Sequence, residues 1–517
     1  MIDGSILIGG AALQREPKFD AVDPATGDAI GPGYSEADNS DIERACLVAA
    51  AASEPFGQLA PERRARFLEA IAEQILAIEE ELIDLAMAET GLPQARLEGE
   101  RGRTVGQLRM FAGEVRRGTW LDVTVDPALP DRVPPRADLR RMNLPLGPVA
   151  VFGASNFPLA FSVAGGDTAS AFAAGCPVIV KGHPAHPGTG ELVARAINRA
   201  VAECGLPAGT FAFLPGRSNG LGAALVEDPR IAAVGFTGSR SGGLALAGIA
   251  AKRSVPIPVY AEMSSINPVI LLPAALSARA SELGGAFVGS LTLGAGQFCT
   301  NPGLVVAEAG PDLERFVESA RTALGGVSCQ TMLTSQIESS YLTGVAALEE
   351  NSAATRVDEV GPGAERSGGA LFRTTASAFI ADAALGHEVF GAASVIVACR
   401  DPEEMTAVIQ SLEGQLTATL QLDPADHLTA AAILPLLQRK VGRVLVNGWP
   451  TGVEVTPAMV HGGPYPATSD GRSTSVGTLA MMRFLRPVCF QDVPDDLLPP
   501  PLRAANPWNV PIRRDMA

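Results

Sequence analysis

A cysteine in a short, turn-rich segment is the strongest chemical signal in the chain. Cys299 lies in Gly-Gln-Phe-Cys-Thr-Asn-Pro-Gly, residues 296–303, where small neighbours can leave a sulfur open to a substrate. A lone acid, Glu262, precedes it in a nearly uncharged run, where a carboxylate has few predicted charge partners and a raised pKa is expected. A nucleophilic thiol and a basic carboxylate together predict thiol attack followed by base-assisted hydrolysis.

Two polar residues follow predicted strands. Asn156, in Ser-Asn-Phe-Pro, offers a side-chain NH2 that could stabilise an oxyanion, although a loop asparagine more often only makes a turn. Lys181 closes the strand Val178-Ile-Val, so its ammonium would emerge at the carboxyl end of a parallel sheet, where such folds bind cofactors. The alternative for Lys181 is an ordinary surface lysine at a strand end.

Further candidates for a nucleotide site lie downstream. Phe-Thr-Gly-Ser, residues 236–239, is followed by Gly243 and joins a predicted strand to a helix, where free N–H groups and the helix dipole can hold a phosphate. A simple helix cap explains the same residues. Glu388 is either a solvated acid or an acceptor for ribose hydroxyls beside the ring of Phe390, and spacing alone does not decide.

Composition excludes several classes of function. The chain has 517 residues, 47% of them hydrophobic, which is enough for two or three domains. A net charge of −16 without long runs of one sign argues against nucleic acid and membrane partners. Seven scattered cysteines and a start without a signal peptide predict a cytoplasmic protein, and the five histidines form no metal-binding pattern.

Hydrophobic periodicity predicts the elements that position these residues. One long amphipathic helix is expected over residues 61–90, and a second over residues 94–115, in which Arg103 and Gln107 share a face that could look into a cleft. Residues 121–148 contain six prolines and predict a projecting hairpin or linker. Residues 149–236 alternate strand and helix, which predicts a parallel sheet, and a second α/β pattern begins after Glu262.

Taken together, these motifs resemble the aldehyde dehydrogenase superfamily and occur in its order. Three longer stretches, residues 103–112, 180–187 and 461–477, resemble its alpha-ketoglutaric semialdehyde (2,5-dioxovalerate) dehydrogenases and its NADP-linked bacterial fatty aldehyde branch. The motifs that carry the wider resemblance are Asn156-Phe-Pro, Val-Lys181 with Pro184, Phe-Thr-Gly238-Ser239 with Gly243, Glu262, Gly-Gln-Phe-Cys299 and Glu388-Val-Phe390-Gly.

The resemblance implies a fold, a division into domains and a partner. It implies an α/β protein with a Rossmann-type cofactor domain, an α/β catalytic domain and a small oligomerisation element. The expected NAD(P)-binding domain comprises residues 1–120 and 141–261, the catalytic domain residues 262–482, and the oligomerisation hairpin and tail residues 121–140 and 483–517. A homodimer or homotetramer is expected.

The resemblance also implies a reaction. Cys299 would attack an aldehyde, Asn156 and the Cys299 backbone N–H would hold the oxyanion, and Glu262 would activate the water that releases the acid. In the cofactor site, Glu388 and Phe390 would position the nicotinamide ribose and ring. Lys181 would bind the adenosine ribose, and Gly238 with Ser239 the pyrophosphate.

Cofactor and substrate preferences follow with less support from the residues. Where many NAD-preferring relatives place a glutamate, this chain has Pro184, so NADP is expected to be preferred and NAD accepted, with Arg217 paired to the 2′-phosphate. A dicarboxylic semialdehyde would have its remote carboxylate held by Arg103 or Arg472, near Gln107; each arginine could instead be a structural ion-pair partner. The alternatives are a long-chain fatty aldehyde dehydrogenase and a cofactor-free cysteine hydrolase or acyltransferase.

Overall fold

The computed structural model describes residues 2–358 and 368–514. Its strands form two seven-stranded sheets, a four-stranded sheet and a two-stranded ribbon, with helices packed on both faces of the two large sheets. Elements are numbered in chain order. The first half contains β1 Ile6–Ile8, β2 Ala11–Leu13, β3 Lys18–Val22, β4 Ala29–Ser35, α1 Asn39–Gly57, α2 Pro61–Leu76, α3 Glu80–Thr90, α4 Gln94–Arg117, β5 Thr124–Asp126, β6 Leu139–Pro145, β7 Val149–Phe152, α5 Gly166–Ala174, β8 Val178–Lys181, α6 Pro187–Glu203, β9 Phe211–Leu214, α7 Asn219–Glu227, β10 Ala233–Thr237, α8 Arg240–Lys252 and β11 Val259–Glu262.

The second half continues the alternation of strands and helices and ends in a mostly irregular tail. It contains β12 Val269–Leu271, α9 Pro273–Thr292, β13 Leu304–Glu308, α10 Pro311–Gly325, α11 Ser335–Glu350, β14 Thr355–Arg356, β15 Ala370–Thr375, α12 Ala376–Ala381, β16 Ala393–Cys399, α13 Pro402–Ser411, β17 Gln415–Gln421, α14 His427–Leu437, β18 Val441–Val446, β19 Leu485–Gln491 and β20 Arg513–Arg514.

The first sheet has the order β11-β10-β7-β8-β9-β1-β2. Its five strands from β11 to β9 are parallel, and β1 and β2 add an antiparallel edge. Strands β7, β8 and β9 are almost wholly buried, as expected when helices cover both faces of a parallel sheet. The α/β fold predicted from the alternation of residues 149–236 is confirmed.

The second sheet has the order β14-β15-β16-β13-β12-β17-β18 and is parallel apart from the short β14. Separate hydrophobic clusters cover its two faces. Its strands β15 and β17 were not predicted. Strand β17, Gln-Leu-Thr-Ala-Thr-Leu-Gln, is buried along its whole length although every second residue is polar, so its composition does not indicate a central strand.

The hairpin and the tail form one sheet within the chain. Strand β6 pairs with β19 along seven residues and with β5 on its other side, and β20 extends β5. Strands β19 and β20 of the tail therefore lie against the hairpin strands β6 and β5.

The expected single helix over residues 61–90 is wrong. Helix α2 ends at Leu76 and α3 begins at Glu80, after a break at Glu79, which has φ 57°. The carbonyl of Glu79 accepts a hydrogen bond from Arg101 at 2.8 Å, so helix α4 secures the break. The hydrophobic period continues across the break, which is why periodicity alone does not detect it.

Among residues 2–358 and 368–514, no helix is both long and apolar enough to span a bilayer.

Candidate active site

The loop that carries Cys299 is fixed by backbone conformation. After α9, Gly294, Ala295 and Gly296 all adopt positive φ, which turns the chain sharply towards the sheet. A Cβ at Gly296 would lie 2.3 Å from the backbone of Ala392, so only glycine fits. The side chain of Asn267 donates to the carbonyl of Cys299 at 2.9 Å. The sulfur therefore has a defined position, and the residue is partly accessible.

Glu262 ends strand β11, in register with Thr237 of β10. Its side chain is buried, and it is not the lone acid that the sequence predicted. Nε2 of His461 lies 2.7 Å from Oε1 of Glu262, and the Ser475 hydroxyl donates to Oε2 at 2.7 Å. The same Nε2 lies 3.3 Å from the sulfur of Cys299. His461 therefore lies between the acid and the thiol.

These contacts reverse the expected ionisation of the acid. Burial raises the pKa of Glu262, but His461 and the hydrogen bond from Ser475 outweigh burial and hold that pKa below its usual range. Burial and the facing Glu262 carboxylate raise the pKa of the Cys299 thiol far above its usual value, and Arg103 only partly opposes them. The resting site therefore contains a neutral thiol beside an ionised carboxylate.

His461 was missed because its neighbours in sequence carry no catalytic signature. It belongs to the long connection between β18 and β19, in which its backbone N–H donates to Thr474 at 2.9 Å and its carbonyl accepts from Ser475 at 2.9 Å. The ring is 1% exposed and faces Phe161 at 6.1 Å. A signal was available in the Gly-rich segment around His461, but it indicated only a resemblance to relatives.

Asn156 contacts the loop that carries Cys299. The residue follows β7, is buried, and donates one side-chain N–H to the carbonyl of Gln297 at 2.9 Å. Its amide has a second N–H. That second hydrogen is available to an oxygen bound next to Cys299.

Arg103 projects from α4 towards the thiol. Its guanidinium lies over the rings of Phe157 and Phe161, at 5.4 and 5.0 Å from their centroids. Its Nη2 is buried and has no hydrogen-bond partner among the described residues. The charge of Arg103 acts on Cys299. An orphaned, buried cationic donor beside a nucleophile is unusual unless a ligand completes it.

Arg443, on β18, is a second cation of this region that sequence reasoning missed. Its Nη2 donates to the carbonyls of Pro450 and Gly452 at 2.8 and 3.1 Å. Its Nε is buried without a hydrogen-bond partner among the described residues. The charges of Cys299 and Arg103 both act on it.

The other two expected substrate residues have different surroundings. Gln107 is 2% exposed, and its amide lies against the backbone of Gly166, close to the segment that carries Ser475. The Arg472 side chain is 92% exposed and pairs with Asp470 at 3.2 Å. The structure thus directs Arg103 towards the thiol and Arg472 to solvent, which favours Arg103 as the substrate contact and leaves the role of Arg472 a prediction.

The strand–helix turn after β10 can accept a phosphate group. Ser239 caps helix α8 by accepting from the N–H of Gly242 at 3.2 Å. A Cβ at Gly238 would lie 2.8 Å from the Phe236 ring, and one at Gly243 would lie 2.8 Å from the sulfur of Met263. The turn therefore has to be bare backbone, which suits close approach by a pyrophosphate at the start of a helix.

Lys181 emerges at the carboxyl end of β8, as predicted. Burial lowers its pKa to about 8, and the Glu36 carboxylate opposes this effect. Glu36 also accepts from Nε and from the backbone N–H of Arg217, both at 2.9 Å. Arg217 is thus an exposed arginine that is already held by a carboxylate, with its guanidinium 5.4 Å from the ring of Phe19.

Glu388 and Phe390 line a small cavity together with Ser265 and Asn301, beside the Cys299 loop. Burial raises the pKa of Glu388 to about 8, and a hydrogen bond from the backbone of Ser265 opposes that rise. The lining also includes Gly296 and Phe298 of the loop that carries Cys299. The glycine turn after β10 and the carboxyl group of Glu388 are groups of the kind that bind a pyrophosphate and ribose hydroxyls.

Comparison with known proteins agrees with this geometry. The model of the aldehyde dehydrogenase family matches residues 12–482. Alpha-ketoglutaric semialdehyde dehydrogenase 2 of Azospirillum brasilense is 56% identical over 522 residues, covering 99% of both chains. Alpha-ketoglutaric semialdehyde dehydrogenase of Acinetobacter baylyi is 46% identical over 511 residues, covering 97% of this chain and 96% of that one.

A solved structure supports the fold. The 1-pyrroline-5-carboxylate dehydrogenase from Thermus, solved with bound NAD, has a TM-score of 0.79 at 21% identity, covering 94% of this chain and 92% of that one. The family resemblance found in the sequence is confirmed over nearly the whole length. The chain belongs to the aldehyde dehydrogenase family and is an NAD(P)-dependent aldehyde dehydrogenase.

Proposed function

We propose that this enzyme oxidises alpha-ketoglutaric semialdehyde to 2-oxoglutarate. The observation that carries the proposal is the buried, unpartnered Nη2 of Arg103 beside the thiol. A semialdehyde with a carboxylate at its far end supplies the acceptor that this donor lacks. The two relatives that are alpha-ketoglutaric semialdehyde dehydrogenases support the same substrate.

Arg443 strengthens the case for an anionic substrate. Two arginines, each with one orphaned buried donor, flank the reacting sulfur. Their mutual repulsion is a cost in the free protein, and a bound carboxylate relieves it. The phenylalanine rings at 157 and 161 stack against Arg103 and exclude water, so a charge pair formed there is stronger than one in solvent.

We assign the first step to the triad of Cys299, His461 and Glu262. The thiol proton passes to the ionised carboxylate of Glu262 and from there to solvent, while the N–H of His461 Nε2, 2.7 Å from Oε1, holds that carboxylate in place. The sulfur attacks the aldehyde carbon, and the carbonyl oxygen becomes an oxyanion. The free N–H of Asn156 and the backbone N–H of Cys299 would hold that oxyanion.

Hydrolysis of the thioester is assigned to the same acid. When bound, the nicotinamide accepts the hydride that leaves the aldehyde carbon. Glu262 then takes a proton from the attacking water, and the thiolate of Cys299, the leaving group, recovers that proton from Glu262. The hydrogen bond from Ser475 keeps the carboxylate turned towards His461 while it acts as a base.

For the cofactor, Lys181 would bind the adenosine ribose and the turn at Gly238, Ser239 and Gly243 the pyrophosphate. Glu388 and Phe390 would position the nicotinamide ribose and ring.

We propose that NADP is preferred and NAD accepted. Because Pro184 stands where many NAD-preferring relatives have a glutamate, that position carries no acid to repel a 2′-phosphate. The ion pair with Glu36 uses Nε of Arg217, so the two amino groups of the same guanidinium are left to bind the phosphate. Comparing kcat/KM for both cofactors in the wild type and in Arg217→Ala tests this role. Equal losses for NADP and NAD would exclude it.

The decisive substrate test measures initial rates of cofactor reduction with alpha-ketoglutaric semialdehyde, a long-chain aldehyde and a small aldehyde, each with NADP and with NAD. We expect the semialdehyde to have the highest kcat/KM. Preference for the long-chain aldehyde would move the enzyme to fatty aldehydes. Absence of cofactor reduction with every pair would favour the cofactor-free hydrolase.

We further propose a homodimer or homotetramer, with residues 121–140 and 483–517 as the oligomerisation element beside a cofactor domain of residues 1–120 and 141–261 and a catalytic domain of residues 262–482. The four-stranded sheet supports this division, because it lies apart from the two large sheets in connectivity. Sedimentation that shows an active monomer would refute it.

Buried free thiols at Cys46, Cys176 and Cys399 support a reducing, cytoplasmic location, which cell fractionation can test.

A further inference from the structure

Three metal-binding side chains converge at the thiol. The sulfur of Cys299, one imidazole nitrogen of His461 and one carboxylate oxygen of Glu262 all lie within 4.8 Å of one another. They come from three distant segments of the chain, namely the loop after α9, the connection before β19 and the end of β11. Glu262 and His461 are buried and Cys299 is partly accessible, so the cluster has one open side.

In the free protein, two protons hold this cluster together, namely the N–H of His461 and the S–H of the neutral Cys299 thiol, which both donate to Glu262. Nε2 of His461 faces the sulfur at 3.3 Å and the Glu262 oxygen at 2.7 Å. A single N–H on that nitrogen can point well at only one of them, and a bare nitrogen would oppose the lone pairs of the carboxylate. A cation at the centre would instead accept one lone pair from each of the three groups.

The donor set suits a thiophilic divalent cation. Zn²⁺ binds thiolate at about 2.3 Å, imidazole at about 2.0 Å and carboxylate at about 2.0–2.2 Å, often with three protein ligands and one open position. With those bond lengths, tetrahedral geometry separates the donor atoms by roughly 3.3–3.6 Å. The sulfur–nitrogen separation of 3.3 Å therefore needs to widen by about 0.2 Å and the nitrogen–oxygen separation of 2.7 Å by about 0.7 Å.

The surroundings both support and oppose such an ion. Ser475 donates to Oε2 of Glu262, which leaves Oε1 directed at the cluster, as an outer-shell partner of a metal ligand does. A thiolate and a carboxylate together balance the charge of the ion. The nearby guanidinium of Arg103 opposes a cation, so moderate affinity is expected.

We propose that Cys299, His461 and Glu262 bind Zn²⁺ or a similar thiophilic divalent cation, and that this binding reversibly inhibits the enzyme. Coordination replaces the proton on the thiol, which passes to solvent, and the proton of His461 moves from Nε2 to Nδ1, which has no partner among the described residues. The sulfur lone pair that would attack the aldehyde forms the bond to the metal. Substrate oxidation stops until the metal is removed. This inference concerns metal binding by the free protein and requires neither the assigned aldehyde nor the cofactor.

Co²⁺ provides a direct readout, because a thiolate bound to Co²⁺ produces a charge-transfer absorption band. We expect titration of the full, chelator-treated protein to give this band at one Co²⁺ per chain, and Zn²⁺ to abolish it by displacement. The band should be lost in Cys299→Ser and persist in Cys489→Ser, the control at an exposed cysteine. His461→Asn and Glu262→Gln should each weaken Co²⁺ binding at least about tenfold.

A second measurement uses only the wild-type protein, so it does not depend on the folding of a variant. Zn²⁺ should protect Cys299 from iodoacetamide, as determined by mass spectrometry of the labelled peptide, and a chelator should restore labelling. A band that persists in Cys299→Ser would overturn the assignment. Labelling of Cys299 that Zn²⁺ does not slow would overturn it as well, whatever aldehyde the enzyme oxidises.

Discussion

Arg103→Met gives the sharpest test of how the site recognises its substrate. The substitution keeps an apolar stem against Phe157 and Phe161 but removes the orphaned donor and its charge. A hydrogen bond between charged groups contributes about 1.5–3 kcal/mol. Its loss should lower kcat/KM for alpha-ketoglutaric semialdehyde roughly 10- to 150-fold.

Comparison with an aldehyde that lacks a carboxylate separates the effect of Arg103 on substrate binding from its effect on the reactivity of the thiol. Arg103 also lowers the pKa of Cys299, and loss of that effect slows attack on every aldehyde alike. The ratio of kcat/KM for the semialdehyde to kcat/KM for unsubstituted pentanal removes this shared component. We expect this ratio to fall by the hydrogen-bond component alone, roughly 10- to 150-fold, and kcat/KM for the semialdehyde to fall by at least as much.

Arg472→Met is the matched control, because it deletes an arginine whose side chain is 92% exposed. It should leave kcat/KM for both aldehydes within about twofold of the wild type, in line with the small contribution of exposed ion pairs. An equal loss for both aldehydes in Arg103→Met would show that Arg103 acts on the thiol alone. If kcat/KM fell for neither aldehyde in Arg103→Met, Arg103 would have no role in the active site.

Three further predictions concern other parts of the molecule. Ser475→Ala removes a hydrogen bond to Glu262, so the acid limb of the kcat–pH profile should move up by about one pH unit; an unchanged limb would contradict the base role. Because burial lowers the pKa of Lys181 to about 8, KM for the cofactor should rise as pH passes 8 and Lys181 loses its charge. Lys181→Arg stays charged and should flatten that rise, and an equally steep rise would argue against the contact. Glu89 is buried and accepts hydrogen bonds from the N–H groups of Gly188 and Thr189 at the start of α6. Glu89→Ala should lower the free energy of unfolding, measured by urea titration, by about 2–4 kcal/mol. A change below about 1 kcal/mol would be inconsistent with a capping role for Glu89.

Features that depend on a few neighbouring residues, such as buried strands and turns, could be predicted from the sequence. Val149–Phe152 and Phe211–Leu214 are buried strands in the structure because short apolar runs between turn residues leave few alternatives. Cys299 and Asn156 stand in loops whose glycine, proline and asparagine content already indicated turns. The contact between their two loops joins different sheets, because Asn156 follows β7 of the first sheet and Cys299 precedes β13 of the second.

Contacts between segments that are far apart in the chain could not be predicted from local sequence patterns. His461 and Glu262 are 199 residues apart, and neither segment contains a sign of the other. The expected direction of the Glu262 pKa was wrong for this reason, because a lone acid in sequence became a paired acid in space. Arg443 was overlooked in an ordinary strand, and the exposure of the Arg472 side chain could not be inferred from its glycine-rich loop.

The four-stranded sheet also governs when the protein can finish folding. Arg140, on β6, pairs with Asp495, which is 355 residues further along the chain. At roughly 5–20 residues per second, a ribosome needs about 20–70 s to make the stretch between them. Throughout that time the edge of β6 that later pairs with β19 lacks its partner, although the parallel strands β7 to β11, which follow β6 in the chain, can already assemble. The nascent chain therefore passes through a long interval with an open strand edge, and this is the stage at which a chaperone has the most to protect.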